Sequence, residues 1–211
     1  MNRNVIRFFL LLLPIILVGV MGCATAPKPV VTEVPPPTQQ GLGELRDLLL
    51  QGKAEIQATS NAARGLTQKT GEVSESSINE LDGNINRLET VRARTWGVHQ
   101  DVQDTAKAYF ADWEKQLQTM SGPVAEEGGK RRAASMASFE ILKLKGQELG
   151  QVYNPFVAKL LESTRYLNTD RTSEGLKVVA PQINEQLGLE GELMNRINAL
   201  VSQIDTMKGG R

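Results

Sequence analysis

From Gly41 almost to its C-terminus the chain carries apolar residues spaced alternately three and four positions apart. That spacing lays one residue per turn along a single stripe of an α-helix. No stretch alternates with period two for long enough to make a strand. The steps are most regular at Phe139, Leu142, Gly146, Leu149, Tyr153, Phe156, Leu160, Ser163 and Leu167. A narrow stripe of this kind is buried only against other helices. The expected fold is therefore all-α: an elongated antiparallel bundle with coiled-coil-like seams. Only 5% of the residues are aromatic, which suits a narrow bundle better than a compact enzyme core.

The spacing and its interruptions predict four helices. The first covers Leu42 to Thr67, with Leu42, Leu45, Leu49, Ile56, Ala63 and Leu66 on one face. The second runs from about Ser77 to Met120, or about 65 Å at 1.5 Å per residue. Ser77 with Glu80 has the form of a capping box. Its seam is Ile78, Leu81, Ile85, Leu88, Val91, Val98, Val102, Tyr109, Trp113, Leu117 and Met120, with a change of phase between Leu88 and Val91. Ser121-Gly122-Pro123 ends it, since glycine suits a left-handed cap and proline cannot continue the ladder. The third helix is expected from about Lys130 to Leu167, kinked but not ended by Pro155 because the seam stays in phase. Asn168-Thr169-Asp170 makes the next turn. The fourth spans about Ser173 to Met207, with Leu176, Val179, Ile183, Leu187, Leu193, Ile197, Leu200, Ile204 and Met207 inward. Pro181, Gly188 and Gly191 weaken its first half. Short turns between long helices force antiparallel neighbours. The bundle domain is thus placed at 42–211, with three long helices and a shorter first one.

The N-terminus carries a different kind of information. Arg3 and Arg7 precede an apolar run from Phe8 to Val20, and small Gly22 precedes Cys23. This is the layout of a secretory signal peptide over 1–22; the run is short for a spanning helix and contains Pro14. Val20-Met21-Gly22-Cys23 resembles the lipobox of bacterial lipoproteins, with Met21 a less common occupant. The resemblance implies that the Cys23 thiol takes a diacylglycerol, that signal peptidase recognises Val20, Met21 and Gly22, and that the new amino group is acylated. In the Gram-negative members an aspartate just after the cysteine retains the protein in the inner membrane. Ala24-Thr25 here implies the outer membrane, with the body on its periplasmic side, and the inner membrane is the address if that sorting rule does not apply. Cys23 is the only cysteine, so no intramolecular disulfide is available.

Between anchor and bundle, Ala26 to Gln40 contains five prolines. That composition predicts an extended tether over 23–41, about 50 Å long from Ala24 to Gln40 at polyproline spacing. It is either a spacer lifting the body off the membrane or a tail of no special length.

Formal charge is zero, and loss of Arg3 and Arg7 with a leader leaves the remainder mildly acidic. A nucleic-acid partner, which needs a basic stripe, is not expected. His99 is the only histidine, with Asp101 and Asp104 nearby in sequence. A helix turns Asp101 away from the face of His99, and a metal site needs several converging ligands. No metal, cofactor or catalytic residue is therefore expected, and common triads are excluded. Tyr109, Trp113, Tyr153 and Phe156 lie on seams and are expected to pack in the core, although with Tyr166 they could line a ligand cleft. Glu126-Glu127 followed by Lys130-Arg131-Arg132 is a charge switch that is either a solvated surface or a contact for anionic lipid or cell-wall polymer. Gly146 and Ser163 on the third seam mark either close helix approach or a groove.

Tyr109-Phe110-x-x-Trp113-Glu114-x-x-Leu117, Pro155-Phe156, Tyr166-Leu167-Asn168 and Leu176-Lys177 with Ile183 resemble an uncharacterised family of helical Gram-negative envelope proteins, known only as a domain of unknown function. The resemblance spans roughly Ile78 to the C-terminus. It implies a helical fold in the envelope and supplies no activity. The leading expectation is a non-enzymatic, membrane-anchored scaffold or adaptor that binds another envelope protein. The alternative is a binding module for a small apolar ligand or lipid in a cavity between helices. A large apolar cavity favours the second; a filled core with an exposed apolar strip favours the first.

Overall fold

The computed structural model describes residues 34–209. The leader, Cys23 with Val20, Met21 and Gly22, and the tether as far as Glu33 lie outside the described residues. Five helices follow in order: α1 (Pro36–Thr67), α2 (Glu75–Leu117), α3 (Gly122–Thr169), α4 (Ser173–Gly188) and α5 (Glu190–Gly209). Helices α4 and α5 together form the fourth arm of an all-α bundle. Helix α1 packs on α2 and on α4 and α5, while α3 packs on α2 and on α4 and α5. Sequence neighbours are therefore spatial neighbours, the fourth arm closes onto the first, and α1 faces α3 across the core.

One continuous apolar core runs through all five helices. Leu42, Leu45, Leu49, Ile56, Ala63 and Leu66 of α1 are all buried, as are Ile78, Leu81, Ile85, Leu88 and Val91 of α2. On α3 the seam is buried at Phe139, Leu142, Tyr153, Phe156, Leu160, Ser163 and Leu167, whereas Gly146 and Leu149 are only half-buried. The helix passes unbroken through Pro155. The gap in burial at the middle of the α3 seam marks the site described below.

Several boundaries differ from the sequence expectation for identifiable reasons. Helix α1 begins at Pro36, inside the segment expected to be extended, with prolines at its first two positions. The first turn of a helix has no intrahelical acceptors for its N–H groups, so proline costs nothing there and its fixed φ suits the helix. The Thr38 amide and hydroxyl both donate to Pro35 O, at 2.8 and 2.7 Å. The start of the bundle thus moves from 42 to 36, and α1, at 32 residues, is longer than expected but still shorter than α2 and α3, at 43 and 48 residues.

Helix α2 is capped by Ser74 rather than Ser77: the Ser74 hydroxyl accepts from the Ser77 amide at 3.3 Å. It ends at Leu117, leaving Met120 outside the helix and 46% exposed. Gly122 adopts φ +66°, the left-handed value that a tight turn needs and glycine tolerates. Helix α3 then starts at Gly122 rather than Lys130, with proline in its first turn, and runs through Gly128-Gly129.

The fourth arm is broken at Leu189, between Gly188 and Gly191. The Leu189 amide donates to Gln186 O at 2.9 Å, a tightened last turn, and Leu189 O accepts from the Leu193 amide at 3.0 Å. Arg64 pairs with Glu190 beside the break, tying it to α1. At the α3–α4 turn, Asp170 Oδ1 accepts from the Thr172 amide and hydroxyl, and the Thr172 hydroxyl accepts from the Gly175 amide at 3.1 Å. Gly175 is required there, because a Cβ would sit 2.4 Å from Asp170 O.

Candidate functional site: a cleft between α2 and α3

Helices α2 and α3 stand apart along their middle and leave a half-open cleft of about 840 Å³. It extends on α2 from Leu88 to Ala111, about 34 Å at the helical rise. Its floor is apolar, made by Leu45, Leu48, Leu49 and Ile56 of α1 with Ile197 and Leu200 of α5. Its rim is polar and exposed, with Gln100, Asp104 and Lys107 on one side and Glu140, Lys143 and Gln147 on the other. A concave site of a few hundred Å³ with apolar walls and sparse polar groups is the usual form of a small-molecule site.

Small residues create the space. Ala106 lines the α2 wall; Gly146 and Gly150 line the α3 wall. A Cβ on Gly150 would meet nothing within 4 Å, and one on Gly146 would meet only the His99 ring, at 3.6 Å from Cε1. Gly146 therefore belongs to a groove. Ser163, the other small residue on this seam, is buried in the packed core, where its hydroxyl donates to Lys159 O at 2.9 Å and accepts from Gln182 Nε2 at 3.1 Å.

Aromatic rings close one end of the cleft. Phe110 meets Phe139 edge-on at 5.6 Å and stacks on Trp113 at 6.3 Å, and Tyr109 packs edge-on against Trp113 at 5.8 Å. Arg132 bridges the two helices there: its Nε donates to Phe110 O at 2.9 Å and its guanidinium pairs with Glu114 at 2.6 Å. At the other end the Tyr153 hydroxyl donates to Glu89 Oε1 at 2.8 Å, and Glu89 also pairs with Arg92 at 3.0 Å. Burial, and then the Glu89 hydrogen bond, push the Tyr153 phenol well above its ordinary value, so it stays a neutral donor.

The aromatic residues thus divide. Phe156 is core with no exposure, Tyr153 is buried at the cleft, and Tyr109 and Trp113 are half-buried in the end cluster. Tyr166 is exposed and is no part of the cleft lining. Two of the lining residues that lie off the expected seam are aromatic: buried Phe110, and Trp96, which is 61% exposed at the rim. The seam itself held a signal for them, because it jumps seven residues from Val91 to Val98, over Thr95, and seven more from Val102 to Tyr109, over Ala106.

His99 is half-buried on the cleft wall and stacks on Trp96 with ring centroids 6.0 Å apart. Burial lowers its pKa, favouring the neutral imidazole. Asp101 is exposed, and Asp104 lies on the rim. Among the described residues no three His, Cys, Asp or Glu side chains come together as a metal site. The basic trio does not form one patch: Lys130 pairs with Glu126 at 2.6 Å, Arg132 turns inward to Glu114, and Arg131 is exposed. No described helix is long and apolar enough to cross a membrane. No family model, curated protein or solved structure matches this chain.

Proposed function

We propose that this chain is a lipid-anchored protein of a Gram-negative outer membrane, fixed through Cys23, whose periplasmic helical body binds an apolar, chain-like ligand without acting on it chemically. The apolar cleft carries this reading. The cleft, of about 840 Å³ and with a continuous apolar floor, has room for a flexible alkyl chain, and each methylene such a chain buries contributes roughly 0.8 kcal/mol before ordering costs. The uncharged floor and polar rim suit an amphiphile with its chain inward.

The leader and the lipobox resemblance support the anchor. Cys23→Ser is expected to abolish labelling by fatty-acid analogues in cells; retained labelling contradicts the anchor. For the cleft, purified full-length protein should release a non-covalently held alkyl-chain compound into organic solvent, identified by mass spectrometry. A variant with the cleft filled should release far less, and equal release from both places the compound elsewhere.

The scaffold or adaptor role is a second reading, favoured by Ile141 and Leu144. They lie one turn apart on α3, outside the cleft lining, and are 43% and 54% exposed. Crosslinking from these positions in intact cells tests it, with a specific protein adduct expected.

A further inference from the structure

The α2–α3 hairpin projects beyond the other helices, and two independent registers measure by how much. Gly41 of α1 abuts Val102 of α2, with a Cβ on Gly41 falling 2.7 Å from Val102 Cγ2. From that level α2 continues to Leu117, about 22 Å, while α1 continues back to Pro36, about 8 Å. On the other side Gln203 of α5 donates to Ser138 O of α3 at 3.3 Å. From there α3 reaches back to Gly122, about 24 Å, while α5 runs on to Gly209, about 9 Å. Both registers leave the hairpin protruding by about 15 Å.

Its tip has a distinct chemistry. Gln118 to Ala125 carries no charge. Met120 and Val124 are 46% and 67% exposed, and Pro123 is exposed between them. Gly122 makes the turn in the left-handed conformation, and Gly128 lets the helices touch just behind it, since a Cβ there would fall 2.6 Å from Leu117 Cδ2. The first charges on either side are paired within their own helices, Lys115 with Asp112 at 2.9 Å and Lys130 with Glu126 at 2.6 Å. The tip is thus a narrow uncharged wedge, with no helix among the described residues left to cover it.

The chain itself names the occupant. Helix α1 begins at the same end of the bundle, so the segment leading back to Cys23 leaves from the side on which the hairpin projects. Cys23 to Val34 is eleven residues, at most about 40 Å when extended. That length lets the tip touch the surface in which an anchor on Cys23 lies, and prevents the body from moving far from it. Two apolar side chains are too few to hold a free protein on a bilayer. A short tether makes the contact intramolecular and raises its effective concentration.

We infer that the Met120–Val124 tip rests in the interface of the same bilayer that holds the Cys23 lipid, standing the bundle on the α2–α3 hairpin. The inference rests on the lipid-anchor reading. In this posture the aromatic end of the cleft, closed by Phe110 and Arg132, points towards that bilayer.

The test uses the full lipidated chain reconstituted in phosphatidylethanolamine–phosphatidylglycerol vesicles. With Cys23 acylated, Val124→Cys provides one thiol for an environment-sensitive fluorophore, and Leu144→Cys serves as the comparison on the exposed mid-body of α3. Brominated-chain lipids are expected to quench the label at 124 at least twofold more than that at 144, with a blue-shifted emission. Equal quenching at the two positions, in protein that floats with the vesicles, overturns the inference and leaves the anchor standing. Failure of the unlabelled parent to float removes the anchor reading and the inference with it.

Discussion

Phe156→Ala is expected to destabilise the bundle by about 3–5 kcal/mol, the usual range for a fully buried phenylalanine. Phe156 has no exposure and lies on the α3 seam, one residue after Pro155. Proline removes one ladder hydrogen bond from the helix interior, so packing of the next side chain carries more of the local stability there. The cost combines lost burial with a cavity that long helices pinned on both sides cannot collapse to fill. Leu149→Ala, two turns away on the same seam, is expected to cost less than half as much, because Leu149 is half-buried and borders the cleft. Urea unfolding measures both. Equal losses at the two positions contradict the division of the seam into a packed half and an open half.

Gly150→Leu is expected to separate stability from binding. Gly150 is a helical residue on the cleft wall, with open space where its Cβ would be. Replacing glycine within a helix gains up to about 1 kcal/mol from propensity. The same side chain enters the space proposed for the ligand. The variant should therefore unfold at equal or higher denaturant concentration, yet bind an alkyl-chain amphiphile at least tenfold more weakly. A destabilised variant contradicts the open geometry, and unchanged affinity contradicts the cleft as the binding site.

Much of the bundle is legible in the residues, because burying a helical stripe requires a periodic pattern. Leu142, Phe156, Leu160 and Leu167 are inward for the reason their spacing announces. The helix ends are harder to read. Prolines that suggest an extended chain around Pro36 also fit a first helical turn, and only packing decides between them. Ser74 and Ser77 are both sound caps by composition, and the chain uses the earlier one. The break at Leu189 follows from Gly188 and Gly191, residues read as weakness rather than as an end. The cleft is the least legible part, since it consists of what the side chains leave empty. Gly146 could equally have brought two helices together. Only the separation of α2 from α3, held by Arg132 at one end and Tyr153 with Glu89 at the other, turns it into a wall.

The central claim, that the α2–α3 cleft takes an alkyl chain, is tested most directly with the tryptophan at its rim. The chain has two tryptophans, Trp96 and Trp113. Trp96 lines the cleft and Trp113 does not, so Trp113→Phe leaves a single reporter at the site. Titration with a long-chain fatty acid brominated at mid-chain should quench Trp96 emission saturably, with one ligand per chain, and Gly150→Leu in the same background should abolish the saturable phase. Quenching that is absent, or that rises linearly with ligand and is unaffected by Gly150→Leu, contradicts the account.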